Sequence, residues 1–69
     1  MSTNTDIETK LKEFHEYLLH RIWELNVMET DAYTLNQRGK ETQCYIERQE
    51  VTNVEKAFRR LFPKVNFNN

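Results

Sequence analysis

A chain of 69 residues, with 38% apolar residues, 30% charged residues and a formal net charge of -1 at pH 7, predicts one small folded domain over residues 1–69. Its apolar content excludes a disordered chain, and its charge balance gives no global field that favours nucleic acid or acidic lipid. Cys44 is the only cysteine, which excludes an intrachain disulfide and the common zinc-binding spacings.

The N-terminal sequence and the hydropathy pattern predict a cytoplasmic protein. The first six residues contain no basic region and no apolar run follows them, and no apolar stretch approaches the roughly 20 residues needed to cross a bilayer. We therefore expect no export signal and no contact with a membrane. The single unpaired thiol agrees with a reducing compartment.

Residues 5–27 are predicted to form a long helix that follows a flexible N-terminus over residues 1–4. Thr5 and Glu8 have the spacing of a capping box, which marks a helix start. Six apolar residues then recur at spacings of three and four, which places them in one stripe on a helix. They are Ile7, Leu11, Phe14, Leu18, Ile22 and Leu25. This stripe is the strongest structural signal in the sequence.

Residues 31–49 are predicted to form a β-hairpin. Two short runs rich in Thr, Tyr, Ile and Leu flank Gly39, the only glycine, at a place where a tight turn needs a positive φ. In the second run Thr42, Cys44 and Ile46 alternate with more polar residues, so one face of the strand would be drier. We expect that face to pack on the long helix, with Cys44 in the core.

A second capping box, from Thr52 to Glu55, predicts a shorter helix over residues 52–62, which Pro63 ends before a tail over residues 63–69. The element order is helix, strand, strand, helix. The predicted fold class is therefore α+β. It is a small single domain of αββα order, in which a two-stranded antiparallel sheet packs on a long N-terminal helix.

The sequence contains no pattern typical of a catalytic, metal or cofactor site. His15 and His20 are the only histidines, and they are five residues apart. On a helix this separation makes the two side chains diverge by about 140°, whereas paired metal ligands lie on one face. Glu16 and His20 have a suitable spacing of four, but nothing nearby completes a four-ligand set. One glycine cannot build a phosphate-binding loop. We expect no enzyme activity, no metal and no cofactor.

Four basic residues near the C-terminus indicate an alternative function in nucleic-acid binding. Residues 56–69 contain Lys56, Arg59, Arg60 and Lys64 and no acidic side chain. Such a cluster can contact phosphates, and the chain would then be a small DNA-binding regulator of transcription or replication. The cluster is also typical of a solvated helix C-terminus, where cations interact favourably with the helix dipole.

Apolar residues on a second side of the long helix predict a protein-binding surface. Leu19 and Trp23 lie four residues apart and away from the main stripe, so either the second helix covers them or they contact a partner. Tyr45 on the outer hairpin face, with Arg38 and Lys40 at the turn, completes the predicted contact surface. The sequence thus predicts a small non-enzymatic binding protein, an inhibitor, adaptor or phage-type regulator, that engages a protein partner and self-associates as a homodimer.

Overall fold

The computed structural model describes residues 3–67, with side chains described from Asp6 onward. These residues form two helices, α1 (Thr3–Thr34) and α2 (Arg38–Leu61), which a short turn connects. The helices run antiparallel and give a rod with extents of 53 × 18 × 15 Å. No residue from 3 to 67 lies in a β-strand. The described chain is a helical hairpin, and the predicted α+β fold is wrong.

The segment predicted as a β-hairpin is divided between the two helices. Residues 31–34 end α1 and residues 38–49 begin α2, so α1 continues well past residue 27 and α2 starts well before Thr52. The hydroxyl of a threonine inside a helix can donate to the carbonyl four residues earlier, so it needs no partner outside the helix. Thr34 donates in this way to Thr30 at 3.0 Å, and Thr52 donates to Arg48 at 2.7 Å. Thr52 is therefore inside a helix and is not its cap.

The turn between the helices depends on Asn36, which has a positive φ of 58°. The N–H of Asn36 donates to the carbonyl of Tyr33 at 3.1 Å, and the N–H of Gln37 donates to the carbonyl of Ala32 at 2.8 Å. These two bonds form a Schellman motif, which ends a helix at a left-handed residue, usually Gly or Asn. Gly39 has no positive φ and lies in the first turn of α2. The predicted turn at Gly39 is wrong.

The two helices meet along a seam whose residues recur at alternating spacings of three and four, as in a coiled coil. On α1 the seam residues are Leu11, His15, Leu18, Ile22, Leu25, Glu29 and Ala32. On α2 they are Glu41, Cys44, Arg48, Val51, Glu55, Phe58 and Phe62. Each of them is buried or half-buried. Two members of the predicted apolar stripe, Ile7 and Phe14, lie beside this seam and remain about half exposed.

Polar residues occupy many positions of the seam, and polar residues of α1 pair with polar residues of α2. Glu29 accepts a hydrogen bond from Nε of Arg48 at 3.0 Å. His15 Nε2 and Glu55 Oε1 are 2.9 Å apart. Cys44 is buried, as predicted, although on a helix rather than on a strand.

The open end of the hairpin is closed by aromatic side chains and by the C-terminal tail. The tail turns back after α2, where the N–H of Val65 donates to the carbonyl of Phe62 at 3.2 Å. This turn brings the Phe67 ring to 4.6 Å from the His15 ring and 5.2 Å from the Phe58 ring, measured between centroids. Such ring pairs stabilise contacts beyond their buried area. The tail thus covers the end of the seam near His15.

Candidate functional site

The hairpin buries few of its apolar residues. Within the described residues the buried apolar side chains are Leu18, Leu25, Ala32 and Cys44. Large apolar side chains that remain 37% to 73% exposed are far more numerous. They are Ile7, Phe14, Tyr17, Leu19, Trp23, Val27, Met28, Tyr33, Leu35, Tyr45, Ile46, Val54 and Leu61. Contiguous exposed apolar patches mark interaction sites, so this surface is where a candidate site lies.

One side of the hairpin carries apolar residues from both helices. Residues that stand beside the seam in equivalent heptad positions share a side in an antiparallel helix pair. Arg21 and Glu47 identify that side, because Arg21 Nη2 lies 3.4 Å from Glu47 Oε2. Residues at steps of seven from Arg21 on α1 and from Glu47 on α2 form two rows along this side of the hairpin. We call the apolar residues of these two rows the Phe14 flank. The Phe14 flank contains Ile7, Phe14 and Met28 of α1 and Val54 and Leu61 of α2.

The Phe14 flank is continuous with the aromatic end of the hairpin. The ring of Phe14 lies 5.3 Å from that of Phe58 and 6.2 Å from that of Tyr17, measured between centroids. The five flank residues are nevertheless 38% to 73% exposed. They therefore form an apolar face that surrounds the Arg21–Glu47 ion pair and has Lys40 at its end near the turn.

The opposite side of the hairpin carries three of the predicted partner-binding residues, Leu19, Trp23 and Tyr45, which we call the Trp23 flank. Trp23 is 61% exposed, so α2 does not cover it. The Trp23 ring stacks on the ring of His20 with a centroid distance of 6.0 Å. The guanidinium carbon of Arg48 lies 5.4 Å from the centre of the Tyr45 ring. Both aromatic residues thus have a neighbour beside the ring, while much of each side chain stays accessible.

The two cations predicted to flank this surface lie on different sides. Arg38 is the first residue of α2 and lines a shallow depression beside the turn, together with Tyr33 and Asn36. It precedes Tyr45 by seven residues and so lies on the same side of α2. Lys40 precedes Glu47 by seven residues and lies on the row of the Phe14 flank. The structure does not bring Lys40 together with Trp23.

The predicted basic cluster lies near the C-terminal end of α2. Lys56, Arg59 and Arg60 line a shallow depression with Pro63, and Lys64 follows on the tail. Arg59 is already paired, because its Nε lies 2.6 Å from Oε1 of Glu55 and its Nη2 donates to Oε2 at 3.2 Å. Lys56, Arg60 and Lys64 are exposed.

Glu55 is the centre of a buried network that sequence reasoning missed. Its carboxylate contacts both His15 and Arg59, and the His15 and Glu55 side chains are only 5% and 8% exposed. No buried side-chain nitrogen or oxygen within the described residues lacks a hydrogen-bond partner. The signal that places His15 in this network was its heptad position, four residues after Leu11 and three before Leu18. His15 therefore has a packing role on the seam.

Within the described residues the structure contains no group of three or more His, Cys, Asp or Glu side chains that would suit a metal ion. Glu16 was a predicted neighbour of His20, but the carboxylate near the His20 ring is Glu24, with Nε2 3.7 Å from Oε1. Neither described helix is long and apolar enough to span a membrane. Comparison with known families, curated proteins and solved structures finds no significant match.

Proposed function

We propose that this chain is a small non-enzymatic binding protein that acts by docking its Trp23 flank onto a protein partner. The observation that carries the proposal is the exposure of Leu19, Trp23 and Tyr45 on one side of a hairpin. An aromatic residue can bury on the order of 150–250 Å² in an interface, so two of them with a leucine supply a contact of useful size. Inhibitors, adaptors and small regulators work through contacts of this kind.

The residue types on the Trp23 flank favour recognition of protein. Trp, Tyr and Arg are enriched among the residues whose truncation costs the most binding energy. Trp23 and Tyr45 also stand on helices, so that little conformational entropy is lost when a partner covers them. Arg38, on the same side near the turn, favours a partner that presents an acidic group at the edge of an apolar groove.

Affinity measurements on matched variants test this proposal once a partner has been captured on the wild-type chain. We expect Trp23→Ala to weaken binding by at least about 30-fold, as for a hot-spot residue. Ile46→Ala is the control, because Ile46 is also about half exposed but lies on the outer side of α2. Circular dichroism must show that both variants remain helical. Equal affinity of the wild type and Trp23→Ala would exclude the Trp23 flank as the docking site.

Nucleic-acid binding through Lys56, Arg59, Arg60 and Lys64 is the second candidate, supported by the depression that three of these cations line near Pro63. The Glu55 carboxylate offsets one of the charges. This function predicts affinity for DNA that falls steeply with salt and is lost in Lys56→Glu/Arg60→Glu. No retention of duplex or single-stranded DNA at low salt would exclude it. Trp23→Ala would leave any such binding unchanged, so the two functions are separable.

A further inference from the structure

We infer that the Phe14 flank is the interface with a second copy of this chain. Two hairpins stack on their Phe14 flanks, with α1 of each copy across α2 of the other, and form a four-helix bundle. This inference goes beyond the proposed function and uses the other side of the hairpin. The Trp23 flanks stay exposed on the outside of the bundle.

The spacing of apolar residues on the helices supports a bundle of more than two helices. A helix that packs against one partner needs apolar residues only at the two seam positions of each heptad, whereas a helix in a larger bundle has a third. Ile7, Phe14 and Met28 supply that third position on α1, and Val54 and Leu61 supply it on α2. α1 carries this pattern along most of its length and α2 carries it in its C-terminal half, and on both helices the third position lies on the same side of the hairpin.

The area of the Phe14 flank suits a dimer. Its five apolar residues each expose roughly half of about 180 Å², so the flank offers on the order of 500 Å² per hairpin and about 1,000 Å² over two copies. Adjoining side chains such as Arg21, Glu47 and Tyr17 add to this area. The total reaches the roughly 1,200 Å² at which stable interfaces begin. Chains shorter than about 70–80 residues often need such an association, because a single small core gives little stability.

The charge distribution favours a second copy of this chain as the partner of the Phe14 flank, and it favours one orientation of the two copies. α1 contains three basic and seven acidic residues, a net charge of -4, and α2 contains six basic and four acidic residues, a net charge of +2. A two-fold axis parallel to the helices places each α1 across the α2 of the other copy, so that opposite charges face each other. A two-fold axis perpendicular to the helices would place α1 of one copy across α1 of the other.

The Arg21–Glu47 pair gives the same orientation at the level of single residues. It lies in the middle of the Phe14 flank, between the levels of Phe14 and Met28. With the axis parallel to the helices, Arg21 of each copy faces Glu47 of the other, and the four charges alternate around the bundle. With the perpendicular axis, Arg21 would face Arg21, which is repulsive. The flank is thus complementary to itself in one arrangement only.

Light scattering coupled to size-exclusion chromatography tests the dimer, with the 8.4 kDa monomer mass as reference. We expect the wild type to elute at twice this mass and Val54→Glu/Leu61→Glu to dissociate, with a dissociation constant raised by at least about 100-fold because unpaired charges would be buried. Ile46→Glu is the matched control on the outer side of α2, and it should remain dimeric. Trp23→Ala should also remain dimeric.

Disulfide trapping tests the orientation and does not depend on the folding of the glutamate variants. Ile7→Cys and Leu61→Cys are prepared separately, each with Cys44→Ala, and are mixed under mild oxidation. The proposed bundle predicts a disulfide between the two different chains, since residue 7 of one copy lies beside residue 61 of the other. A monomeric wild type at high concentration, or the absence of this mixed disulfide, would overturn the inference and leave the proposed function open. Dissociation of the dimer by Trp23→Ala would instead place self-association on the Trp23 flank and would also overturn it.

Discussion

Replacement of Glu55 by leucine is expected to destabilise the hairpin, although it removes a charge from the interior. Glu55 is the acceptor for His15, whose side chain is only 5% exposed and cannot turn to water when the carboxylate is gone. A buried polar group that loses its partner costs about 1–3 kcal/mol. Arg59 is half exposed and can be resolvated, so it adds little. We therefore expect Glu55→Leu to lower the free energy of unfolding by about 2 kcal/mol.

Glu55→Leu and His15→Leu should differ in stability. Glu55 has two partners, whereas His15 has one strong polar contact. In His15→Leu the carboxylate keeps Arg59, and the expected cost is about 1 kcal/mol. In His15→Leu/Glu55→Leu both buried polar groups are absent, and the stability should return close to the wild-type value or exceed it, as it does when buried ion pairs are replaced by apolar residues. The double-mutant cycle should give a coupling of about 3 kcal/mol, because the single variants cost about 2 and about 1 kcal/mol and the double variant costs close to nothing.

Urea unfolding followed by circular dichroism measures these differences, at one protein concentration for all variants because association would shift the apparent stability. A chain of this length has a total stability on the order of 3–10 kcal/mol, so a loss of about 2 kcal/mol is large and lowers Tm by roughly 10–15 °C. Glu50→Leu is the control, since it makes the same substitution at an exposed position of α2. A cost for Glu55→Leu no larger than that for Glu50→Leu, or a coupling near zero, would refute the role assigned to the network.

Three further predictions concern the turn and the seam. Gly39→Ala should stabilise the protein by up to about 1 kcal/mol in thermal unfolding, because Gly39 is helical and a Cβ there meets nothing within 4 Å, whereas a tight β-turn would be destabilised. Asn36→Val should cost about 1–2 kcal/mol in urea unfolding because of the positive φ, and Asn36→Gly should cost nothing. Cys44 should react with a thiol reagent only as fast as the hairpin opens, and rapid labelling of the native protein would contradict its burial.

The helical character of α1 could be predicted from the sequence, but its end could not be found from apolar residues alone. The seam continues after Leu25 through Glu29 and Ala32, which keep the spacings of four and three. In the sequence alone, a charged residue at a seam position looks like the end of the apolar stripe, unless the residue that pairs with it is known. That partner, Arg48, lies on the other helix, so the continuation depends on a tertiary contact.

The strand prediction failed because two periodicities fit the same short window. Thr42, Cys44 and Ile46 alternate as in a strand, but Cys44 also belongs to a series of helical spacings that passes through Arg48 and Val51. The helical series is longer, but it contains polar residues. Over a few residues, the strand-like alternation separates apolar from polar residues more clearly than the helical series does. Tertiary pairing decides such cases, because it satisfies the polar seam residues and makes the longer period the more stable one.

Polar seam and apolar flank have complementary effects on this fold. The Glu29–Arg48 and His15–Glu55 pairs set the register of the hairpin, because a slip by one heptad separates each pair and leaves charges without partners in a half-buried seam. The same residues occupy positions where leucine would have given more buried apolar area, so the seam specifies the alignment at the expense of stability. Five large apolar residues that the seam does not bury stand on the Phe14 flank. These residues are partly buried in the single hairpin, and a second copy that covered the rest of their surface would add stability and couple folding to association.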